Sequence, residues 1–583
     1  MASSAWRPGS RNWRLAPRFQ SAADLARKLG TAPIVAQVLA NRGVSDFGDA
    51  KAFMNPSLND LHDPLSLGGA QQASACIARA IEDGKRIVIY GDYDVDGITG
   101  VAILHACLKM VGAKASFYVP HRLEEGYGVN AEAVGKIADS GAELLVTVDC
   151  GISAVGPLAE ARKRGMQVVV TDHHDFGDEL PAADAIVHPR LARSAYPNPD
   201  LSGSGVAFKV AWQLAREICG NDKVDQPMRE FLLNSTCLAA LGTIADVVPL
   251  VGENRSLAVH GLRGLPASSH PGLRALLVSS NLANEKLDAY HVGFILAPRI
   301  NACGRMGHAR LAVELLTDAG KARCKEIARY LAEQNSKRQR VQRQIVKQAI
   351  EMVESGGLDG PDRRAIVLWS ESWHGGIIGV VASRLVEQYG RPTIMLAVNG
   401  EGKVQGSGRS IPGFNMRDAL AACADRLTSF GGHAMAGGLR LEPENIPAFS
   451  EDFNQYAAEH IAEEQLTQPL SIDAELELAE LSYSVVEHLS RLAPFGQGNP
   501  APELAVRNCQ VLVPPKRIGR KGDTASLMLG QGDKRLRAVG FGMGNLADLM
   551  VGVNTVDVVG QPMLNTFNGR TSVEFKLTDI TWQ

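Results

Sequence analysis

Residues 85–112, KRIVIYGDYDVDGITGVAILHACLKMVG, pass from an apolar, β-branched run through an acidic turn into a segment with helical apolar spacing. This order predicts a buried strand, a short loop and a helix. The loop carries Asp92, Asp94 and Asp96 on alternate positions, where their charges repel unless a cation or strong hydrogen bonds offset them. An EF-hand calcium loop is excluded, because a strand precedes the loop and Ile103 stands where the twelfth-position glutamate is needed.

The same alternation of strand and helix extends over residues 70–250. The region contains five short apolar runs, RIVIY, ASFYVP, ELLVTVD, QVVVTD and DAIVHP. Helical patterns at 98–112, 130–140 and 153–165 separate most of these runs. Parallel strands joined by crossover helices produce this arrangement, and the near-continuous apolar runs indicate a sheet covered on both faces.

The next region is predominantly helical, with patterns at 206–219, 229–245 and 271–355. The last of these ends in a long run without glycine or proline, which is typical of a helix that connects two domains. Its basic residues form either a solvated face or one wall of a nucleic-acid groove; they are Lys337, Arg338, Arg340, Arg343 and Lys347.

A second α/β pattern begins near residue 363, where AIVLW and PTIMLAV are predicted strands on either side of a helix at 377–390. Two glycine-rich stretches, VQGSGRSIPGFN and SFGGHAMAGGL, follow as predicted loops. The residues after about 500 contain short alternating runs, with an Asn568-Gly569 hairpin signal between the last two. About five strands in this length favour a small barrel such as an OB-fold.

The predicted fold class is therefore α/β and multidomain. Its parts are an N-terminal extension at 1–60, a parallel-sheet domain with a helical part at 61–312, a connecting helix at 313–357, a smaller α/β domain at 358–470 and an OB-like barrel at 471–583.

Composition narrows the class of protein further. A length of 583 residues predicts three or four domains, and a formal net charge of −3 gives no overall attraction to nucleic acid. The nine cysteines include no C-x-x-C spacing, which favours a reducing compartment. We find no run of apolar residues long enough to span a membrane and no signal-peptide pattern, so we expect a cytoplasmic protein.

Three of the predicted strands end in residue types that bind metals. RIVIY leads to Asp92, Asp94 and Asp96, ELLVTV leads to Asp149, and QVVVT leads to the sequence Asp172-His173-His174-Asp175. The carboxyl ends of parallel strands share one edge of the sheet, so these side chains are expected to converge. The bland alternative is that the aspartates only cap the helices that follow the strands.

Oxygen-rich ligation with imidazole and without thiolate suits Mn²⁺ or Mg²⁺. The carboxylates are too many for one ion and indicate two ions about 3.5–4 Å apart, as in phosphoesterases. Other catalytic motifs are missing, because the sequence has no P-loop and no serine nucleophile elbow, and GSGVAF from Gly203 lacks the last glycine of a dinucleotide fingerprint.

With GDYDVDG, VTVDCG, DHH at 172–174 and IADVVPL, the sequence resembles the DHH phosphoesterase superfamily. SFGGHAMAGG is similar to the GGH motif of its DHHA1 subdomain. PRINACGRMGH, SWHGGIIGVVASRL, GSGRSIPGFN and APFGQGNPAP resemble the RecJ family, bacterial 5′→3′ exonucleases of single-stranded DNA. The likeness runs from about residue 60 to the C-terminus in the family's order.

The resemblance implies a set of metal ligands, namely Asp94, Asp96, Asp149, His173 and Asp246. From the residue pattern alone, Asp246 would be only a cap at the end of a helix. Asp172 and His174 match motif positions that support the ligands or face the substrate, as does Asp92. Tyr90 stands where the superfamily's small-phosphoanhydride hydrolases have a histidine, which disfavours a pyrophosphatase.

The resemblance also implies substrate-binding residues, namely Arg122, Arg299, Arg305, Ser407, Arg409, Gly432 and His433. Glycine amides around His433 and the guanidinium of Arg409 are suited to phosphate. The alternatives are ordinary tight turns for the glycines and structural ion pairs for the arginines.

These features together predict a single-stranded-DNA-specific 5′→3′ exonuclease of DNA recombination and repair. It would use two Mn²⁺ or Mg²⁺ ions and release 5′-mononucleotides, with the strand entering between the two α/β domains. The family implies a monomer that meets a single-strand-binding protein and a helicase. The alternatives are a hydrolase of short oligoribonucleotides or cyclic dinucleotides, and a non-catalytic DNA-binding scaffold.

Overall fold

The computed structural model describes residues 8–9, 11–121, 125–126, 128–191, 194, 196–305, 309–360, 362–466 and 469–582. The chain divides into two compact units. Unit 1 comprises Met1–Phe47, Lys337–Arg491 and Pro502–Gln583, and unit 2 comprises Gly48–Ser336 and Leu492–Ala501. Among the described residues, no helix combines the length and the apolar character that crossing a bilayer requires.

The strands are, in chain order, β1 (Asn12–Leu15), β2 (Arg86–Gly91), β3 (Lys114–Tyr118), β4 (Leu144–Val148), β5 (Gln167–Thr171), β6 (Ala185–Val187), β7 (Ile366–Ser370), β8 (Thr393–Val398), β9 (Val404–Arg409), β10 (Ser429–Gly432), β11 (Ala436–Leu441), β12 (Pro469–Ile472), β13 (Ala474–Glu475), β14 (Leu504–Ile518), β15 (Thr524–Gln531), β16 (Lys534–Phe541), β17 (Thr555–Phe567) and β18 (Arg570–Thr581).

The α-helices are α1 (Ala22–Leu29), α2 (Pro33–Asn41), α3 (Phe47–Met54), α4 (Ala70–Glu82), α5 (Val95–Met110), α6 (Ala131–Asp139), α7 (Val155–Lys163), α8 (Gly203–Cys219), α9 (Gln226–Ala245), α10 (Gly252–Gly264), α11 (Pro271–Ser279), α12 (Ala297–Arg305), α13 (Ala309–Leu316), α14 (Lys321–Ser355), α15 (Gly375–Tyr389), α16 (Met416–Ala422), α17 (Ile446–His460), α18 (Tyr483–Ser490) and α19 (Leu546–Leu549).

Unit 2 is built on a parallel sheet with the strand order β3-β2-β4-β5-β6. Successive side chains of a strand point to opposite faces, so Ile87 and Ile89 of β2 enter one apolar cluster while Val88 and Tyr90 enter another. Helices α4, α5, α8 and α9 contribute to the first cluster, and α6 and α7 to the second. The prediction of a parallel sheet covered on both faces is confirmed.

Two helices of unit 2 begin earlier than their apolar spacing suggests, because polar residues cap them. The Asp94 side chain accepts hydrogen bonds from the first turn of α5, so this helix begins at Val95. Ser202 accepts from the amide of Gly205, so α8 begins at Gly203. Both caps therefore place helix N-termini at the carboxyl edge of the sheet.

The connecting helix is present but shorter than the predicted 313–357. Residues 313–316 belong to α13, and a break at 317–320, with a turn at 317–318, separates that helix from α14 at Lys321–Ser355. The bounds of α14 cross the division between the units, which falls between Ser336 and Lys337.

In unit 1, the glycine-rich stretches predicted as loops are largely strands. They form β9, β10 and β11 of the sheet β10-β11-β9-β8-β7. Glycine occurs here because neighbouring side chains occupy the space of a Cβ. A Cβ at Gly406 would lie 2.6 Å from Leu439, and one at Gly408 would lie 2.6 Å from Ile394.

The C-terminal part of unit 1 is a barrel of the predicted OB-like kind. Its six strands have the order β13-β14-β15-β16-β18-β17, and pairing between β14 and β17 closes the sheet. The Asn568-Gly569 turn joins β17 to β18 with both residues at positive φ, as a two-residue hairpin requires.

The residues of the predicted N-terminal extension at 1–60 are divided between the units, with Met1–Phe47 in unit 1 and the rest in unit 2. Strand β1 pairs in parallel with β12, and Trp13 donates a hydrogen bond to Asp579. The guanidinium of Arg42 forms two hydrogen bonds with the carboxylate of Asp473. The partners of this segment lie at the other end of the chain, so no local pattern reveals them.

Candidate metal centre

Acidic and imidazole side chains follow three adjacent strands of the unit 2 sheet at their carboxyl ends. Asp94 and Asp96 follow β2, Asp149 follows β4, and His173 follows β5. Because β2, β4 and β5 are neighbours, their ends lie side by side. Asp246 joins them from the C-terminal end of α9. The structure thus brings together the five side chains that the family resemblance implies as ligands.

The His173 imidazole lies among these carboxylates. Its Nε2 is 3.1 Å from Asp149 Oδ1, 3.5 Å from Asp246 Oδ2 and 3.8 Å from Asp96 Oδ2. Both His173 Nε2 and Asp149 Oδ1 are buried, and neither has a hydrogen-bond partner among the described residues. Such atoms are costly to bury unless something binds them, and an ion satisfies both.

The donor groups match those of a divalent cation site. Three sets of three side chains could each hold an ion, because every side chain of a set offers one ligand atom within 4.8 Å of the other two. The first set is Asp149, His173 and His174, the second is Asp96, His173 and Asp246, and the third is Asp92, Asp94 and Asp149. These sets are rich in carboxylate oxygen and contain no thiol, a composition that suits Mn²⁺ or Mg²⁺. The residues present therefore fit a pair of such ions.

Asp94 has a structural role in addition to any ligand role. Its Oδ1 accepts hydrogen bonds from the amides of Asp96 and Gly97 at 3.0 and 3.1 Å. This cap fixes the carboxylate at the start of α5. Asp94 can therefore be both the cap of this helix and a metal ligand.

Asp96 is held by the N-terminus of a second helix. Its two oxygens accept hydrogen bonds from the amides of Gly203 and Ser204, at 2.6 and 3.0 Å, at the start of α8. Helix N-termini stabilise negative charge, which fixes the buried carboxylate in one orientation.

Asp172 uses both of its oxygens within the protein. Oδ1 accepts hydrogen bonds from the amide of His173 and from Nδ1 of His174, both at 2.8 Å, and Oδ2 accepts from the amide of Ile152. Although burial opposes it, the hydrogen bond from His174 lowers the pKa of Asp172 to about 2. The same bond overcomes burial and raises the pKa of His174 to about 9. Asp172 therefore orients the His174 ring, holds the backbone at His173 and favours the protonated form of His174 when no cation is present.

Burial dominates the charge state of the other groups when no cation is present. Desolvation, helped by the charge of Asp96, raises the pKa of Asp94 and raises that of Asp149 well above its ordinary range. The same two causes raise the pKa of Asp246 to about 9, and burial lowers the pKa of His173 to about 4. A neutral imidazole among carboxyls that must lose protons is the state from which a metal site is loaded.

Two positions near the ligands have backbone conformations that are uncommon for residues other than glycine. Asp149 has φ of 62°, and Val247, directly after Asp246, has φ of 63°. A β-branched residue in this region is an outlier that persists only when its surroundings impose it.

Tyr90, at the position that disfavours a pyrophosphatase, takes no part in the cluster. Its buried hydroxyl donates a hydrogen bond to the carbonyl of Gly128 at 3.0 Å, and its ring stacks on Tyr118. The tyrosine therefore supports the loop after β3.

The predicted substrate residues of unit 1 lie on its mixed sheet. Arg409 Nη1 donates to Ser407 Oγ at 3.1 Å, and both side chains lie against α15, since a Cβ at Gly379 would be 2.8 Å from Ser407 Oγ. His433 lies in the turn between β10 and β11, where its amide donates to the carbonyl of Ala436. Gly432 is in the paired hairpin, so the glycines are not the open loop that the sequence suggests.

The remaining predicted substrate residues, at positions 122, 299 and 305, fall within the residue range of unit 2. Nη1 of Arg299 donates to the carbonyl of Ile295 at 2.6 Å. Arg122 and the side chain of Arg305 lie outside the part of the chain that the structure describes.

Sequence reasoning missed two glycines that make room for the carboxylates. A Cβ at Gly203 would lie 2.3 Å from Asp149 Oδ1, and one at Gly242 would lie 2.2 Å from Asp96 Oδ1. For Gly242 the available signal is a glycine inside the helical pattern at 229–245, which often marks a close approach. Gly203 precedes the helical pattern at 206–219, so that pattern gives no signal for it.

Comparison with known families agrees with this geometry. Residues 86–239 match the DHH family, N-terminal domain, residues 362–459 match the DHHA1 domain, and residues 472–579 match the RecJ OB domain. The fold and its acidic centre are those of a DHH-type phosphoesterase.

Similar proteins and solved structures identify the family within this class of phosphoesterases. The chain is 36% identical over 564 residues to the single-stranded-DNA-specific exonuclease RecJ of Bacillus subtilis, covering 96% of this chain and 70% of that protein. It is 35% identical to the RecJ of Dickeya dadantii, covering 94% and 96%. The crystal structure of Thermus thermophilus RecJ in complex with Mn²⁺ superposes with a TM-score of 0.83 at 31% identity, covering 98% of this chain and 80% of that one. The chain belongs to the RecJ family of single-stranded-DNA-specific exonucleases.

Proposed function

We propose that this chain degrades single-stranded DNA from its 5′ end and releases 5′-mononucleotides, in DNA recombination and repair. The observation that carries the proposal is the buried pair of His173 Nε2 and Asp149 Oδ1, which face each other without hydrogen-bond partners inside a ring of carboxylates. Family membership supplies the substrate class, and this pair supplies the site.

The residues that would hold two Mn²⁺ or Mg²⁺ ions are Asp94, Asp96, Asp149, His173 and Asp246. Such ions polarise a phosphoryl oxygen and lower the pKa of water toward neutrality. The chain itself keeps these ligands in place through the helix N-termini at Asp94 and Asp96. Asp149 and His173 each belong to two of the three donor sets.

His174 and Asp172 support the reaction without adding carboxylate ligands. Asp172 fixes the His174 ring and favours its protonated form, and about a third of the His174 side chain is exposed. A cationic imidazole at the edge of the centre can donate a hydrogen bond to a phosphate oxygen and stabilise charge that develops there.

In unit 1, Ser407 and Arg409 would recognise the 5′ end. A guanidinium beside a hydroxyl and the first turns of a helix forms a suitable phosphate site. His433, exposed in the adjacent hairpin, offers a further donor. Arg122, Arg299 and Arg305 are the family positions that would contact the backbone of the strand.

The reaction and its substrate can be tested together. The chain is incubated with Mn²⁺ and one of three substrates, namely 5′-labelled single-stranded DNA, the matching RNA strand or a cyclic dinucleotide. We expect mononucleotides from the DNA only. Preferential loss of the RNA or of the cyclic dinucleotide would instead identify a hydrolase of small ribonucleotides, and binding without cleavage would identify a scaffold.

A pair of aspartate variants tests the site. Asp94→Ala removes a ligand and should abolish turnover while the chain stays folded. Asp139→Ala, at a side chain that is 78% exposed, is the matched control and should keep normal rates. Normal rates in Asp94→Ala with added Mn²⁺ would refute the ligand assignment.

The cysteines indicate the cellular compartment in which the enzyme works. All nine cysteines are free thiols, in keeping with a reducing compartment, so we place the enzyme in the bacterial cytoplasm. The family resemblance implies that it works as a monomer with a single-strand-binding protein and a helicase. Light scattering and pull-down with these two partners test that expectation.

A further inference from the structure

Ten residues from the C-terminal part of the chain, Leu492–Ala501, belong to unit 2 although the residues on both sides of them belong to unit 1. Their sequence is LAPFGQGNPA. At its centre, Gly496 and Asn499 exchange backbone hydrogen bonds at 2.9 and 3.2 Å, which makes a tight turn. We call these ten residues the inserted turn.

The inserted turn packs against the segment that follows Asp246. The amide of Leu250 donates a hydrogen bond to the carbonyl of Gln497 at 2.8 Å. A Cβ at Gly496 would lie 2.8 Å from the Leu250 side chain, and one at Gly498 would lie 3.1 Å from Pro249. The glycines are therefore the residues that let this turn approach so closely.

The segment after Asp246 needs an external support. Helix α9 ends at Ala245 and Asp246 caps it. The next residue, Val247, has φ of 63° and is 64% exposed, so its own packing does not hold it in place. Glycine usually occupies a left-handed position after a helix, and a valine there is strained because its Cβ approaches the following carbonyl. The contacts of the inserted turn at Pro249 and Leu250 hold the chain just beyond this strained residue, together with the Asn254 side-chain amide, which donates a hydrogen bond to the Pro249 carbonyl at 3.1 Å.

The inserted turn is itself rigid. Asn499, which is buried, donates through its side-chain amide to the carbonyls of Leu492 and Pro494, both at 2.9 Å. The buried guanidinium of Arg255 donates to the carbonyl of Ala493 at 2.9 Å and to that of Phe53 at 2.8 Å. Since Arg255 lies on α10, which begins directly after the supported segment, the turn is fixed to unit 2 on two sides.

We propose that the inserted turn is a positioning element for Asp246: it holds the residues after this aspartate in the strained conformation that directs the carboxylate toward His173. The inference rests on the proposed function, because it takes Asp246 as a metal ligand. It adds that a segment far along the sequence, beyond the DHHA1 match, sets the affinity of the centre for one of its ions.

The test compares two glycine-to-valine variants with similar backbone strain. Gly498→Val forces new atoms toward Pro249, whereas Gly532→Val, also at positive φ, has no atom within 4 Å of its Cβ. Gly496→Ala is a milder second variant, since its Cβ meets only the end of the Leu250 side chain. Gln497→Ala is a control inside the turn, because Gln497 contributes its backbone carbonyl and its side chain is exposed.

Mn²⁺ binding to each full-length variant is measured by calorimetry and by electron paramagnetic resonance, together with the rate at rising Mn²⁺. Groups that orient metal ligands typically change affinity by about 10–100-fold. We expect a loss of this size for one ion in Gly498→Val, a smaller loss in Gly496→Ala, and rates that recover at high Mn²⁺. Gly532→Val and Gln497→Ala should match the unmodified chain.

Unchanged Mn²⁺ affinity in folded Gly498→Val and Gly496→Ala would overturn the inference, as would an equal loss in Gly532→Val. An Asp246→Ala variant distinguishes a failure of the positioning role from a failure of the ligand assignment. If it loses an ion while the turn variants do not, only the positioning role fails; if it binds both ions normally, the ligand assignment of the proposed function fails.

Discussion

A single methyl group added at Gly242 should disable the centre while leaving the fold in place. Gly242 lies inside α9, four residues before Asp246, and faces the Asp96 carboxylate. In Gly242→Ala, the new Cβ would lie 2.2 Å from Asp96 Oδ1 and 2.2 Å from Ser204 Oγ. The two oxygens belong to groups with fixed partners, so neither can move aside freely.

The size of the effect follows from these distances. Ordinary contact begins at 3.4 Å, so Asp96 Oδ1 must retreat by about 1.2 Å from its position at 2.2 Å. A misplacement of about 1 Å costs about 100-fold in rate, or about 2.7 kcal/mol of transition-state stabilisation. Overpacking costs about 1–3 kcal/mol of stability, and replacing a helical glycine by alanine returns about 1 kcal/mol. The net loss of stability is therefore about 0–2 kcal/mol, which should leave the chain folded while the rate falls about 100-fold.

The assay is the hydrolysis of a 5′-labelled single strand at saturating Mn²⁺, with thermal unfolding of the same samples. Gly156→Ala is the matched control, because Gly156 also lies in a helix and has no atom within 4 Å of its Cβ. It should keep its rate and gain slightly in stability. A rate within twofold of normal for Gly242→Ala, with unchanged Mn²⁺ affinity, would show that the Asp96 position does not govern the chemistry.

Other perturbations have defined outcomes. Asp172→Asn removes the carboxylate that raises the pKa of His174 to about 9, so this pKa should fall toward its ordinary 6.5, measured by NMR of labelled histidine with chelator present; a value that stays near 9 would exclude Asp172 as its cause. The pKa of Asp246 is raised to about 9 from 3.8, so chelated protein should lose stability as pH rises through this range, and the stabilisation by Mn²⁺ should grow with pH; a Tm difference that is constant from pH 6 to 9 contradicts this. Asp473→Ala deprives Arg42 of its buried carboxylate and should lower the free energy of unfolding of unit 1 by about 3–5 kcal/mol in urea titrations, with Asp473→Asn milder; a change below 1 kcal/mol would mean that the pair contributes little. Affinity for single-stranded DNA should fall steeply with salt, and a flat response would argue against phosphate contacts.

Much of the candidate site was predictable because its ligands follow strands. The β-branched run before Asp94 and the runs before Asp149 and His173 are local signals, and parallel strands bring their ends together without further information. Asp246 is different, since its local pattern indicates only a helix end, and the family resemblance was needed to place it in the cluster.

The glycine-rich segments of unit 1 show where local reasoning failed. Gly406 and Gly408 suggest loops, because glycine has low strand propensity. In the structure, side chains from neighbouring elements fill the space beside them, including Ile394 and Leu439. Packing between segments overrides intrinsic preference, and that packing cannot be read from the segment itself.

The sequence by itself determined the parallel sheet, the carboxylates at its edge, the connecting helix and the terminal barrel, because each depends on periodicity or on turn residues within a short window. Only the tertiary structure decided how β1 pairs with β12, how Gly203 and Gly242 make room for carboxylates, and where the inserted turn packs. These features join residues that are far apart along the chain. Their free energy comes from close packing and from hydrogen bonds formed only after folding, so a local signal such as a glycine inside a helix does not identify the distant partner.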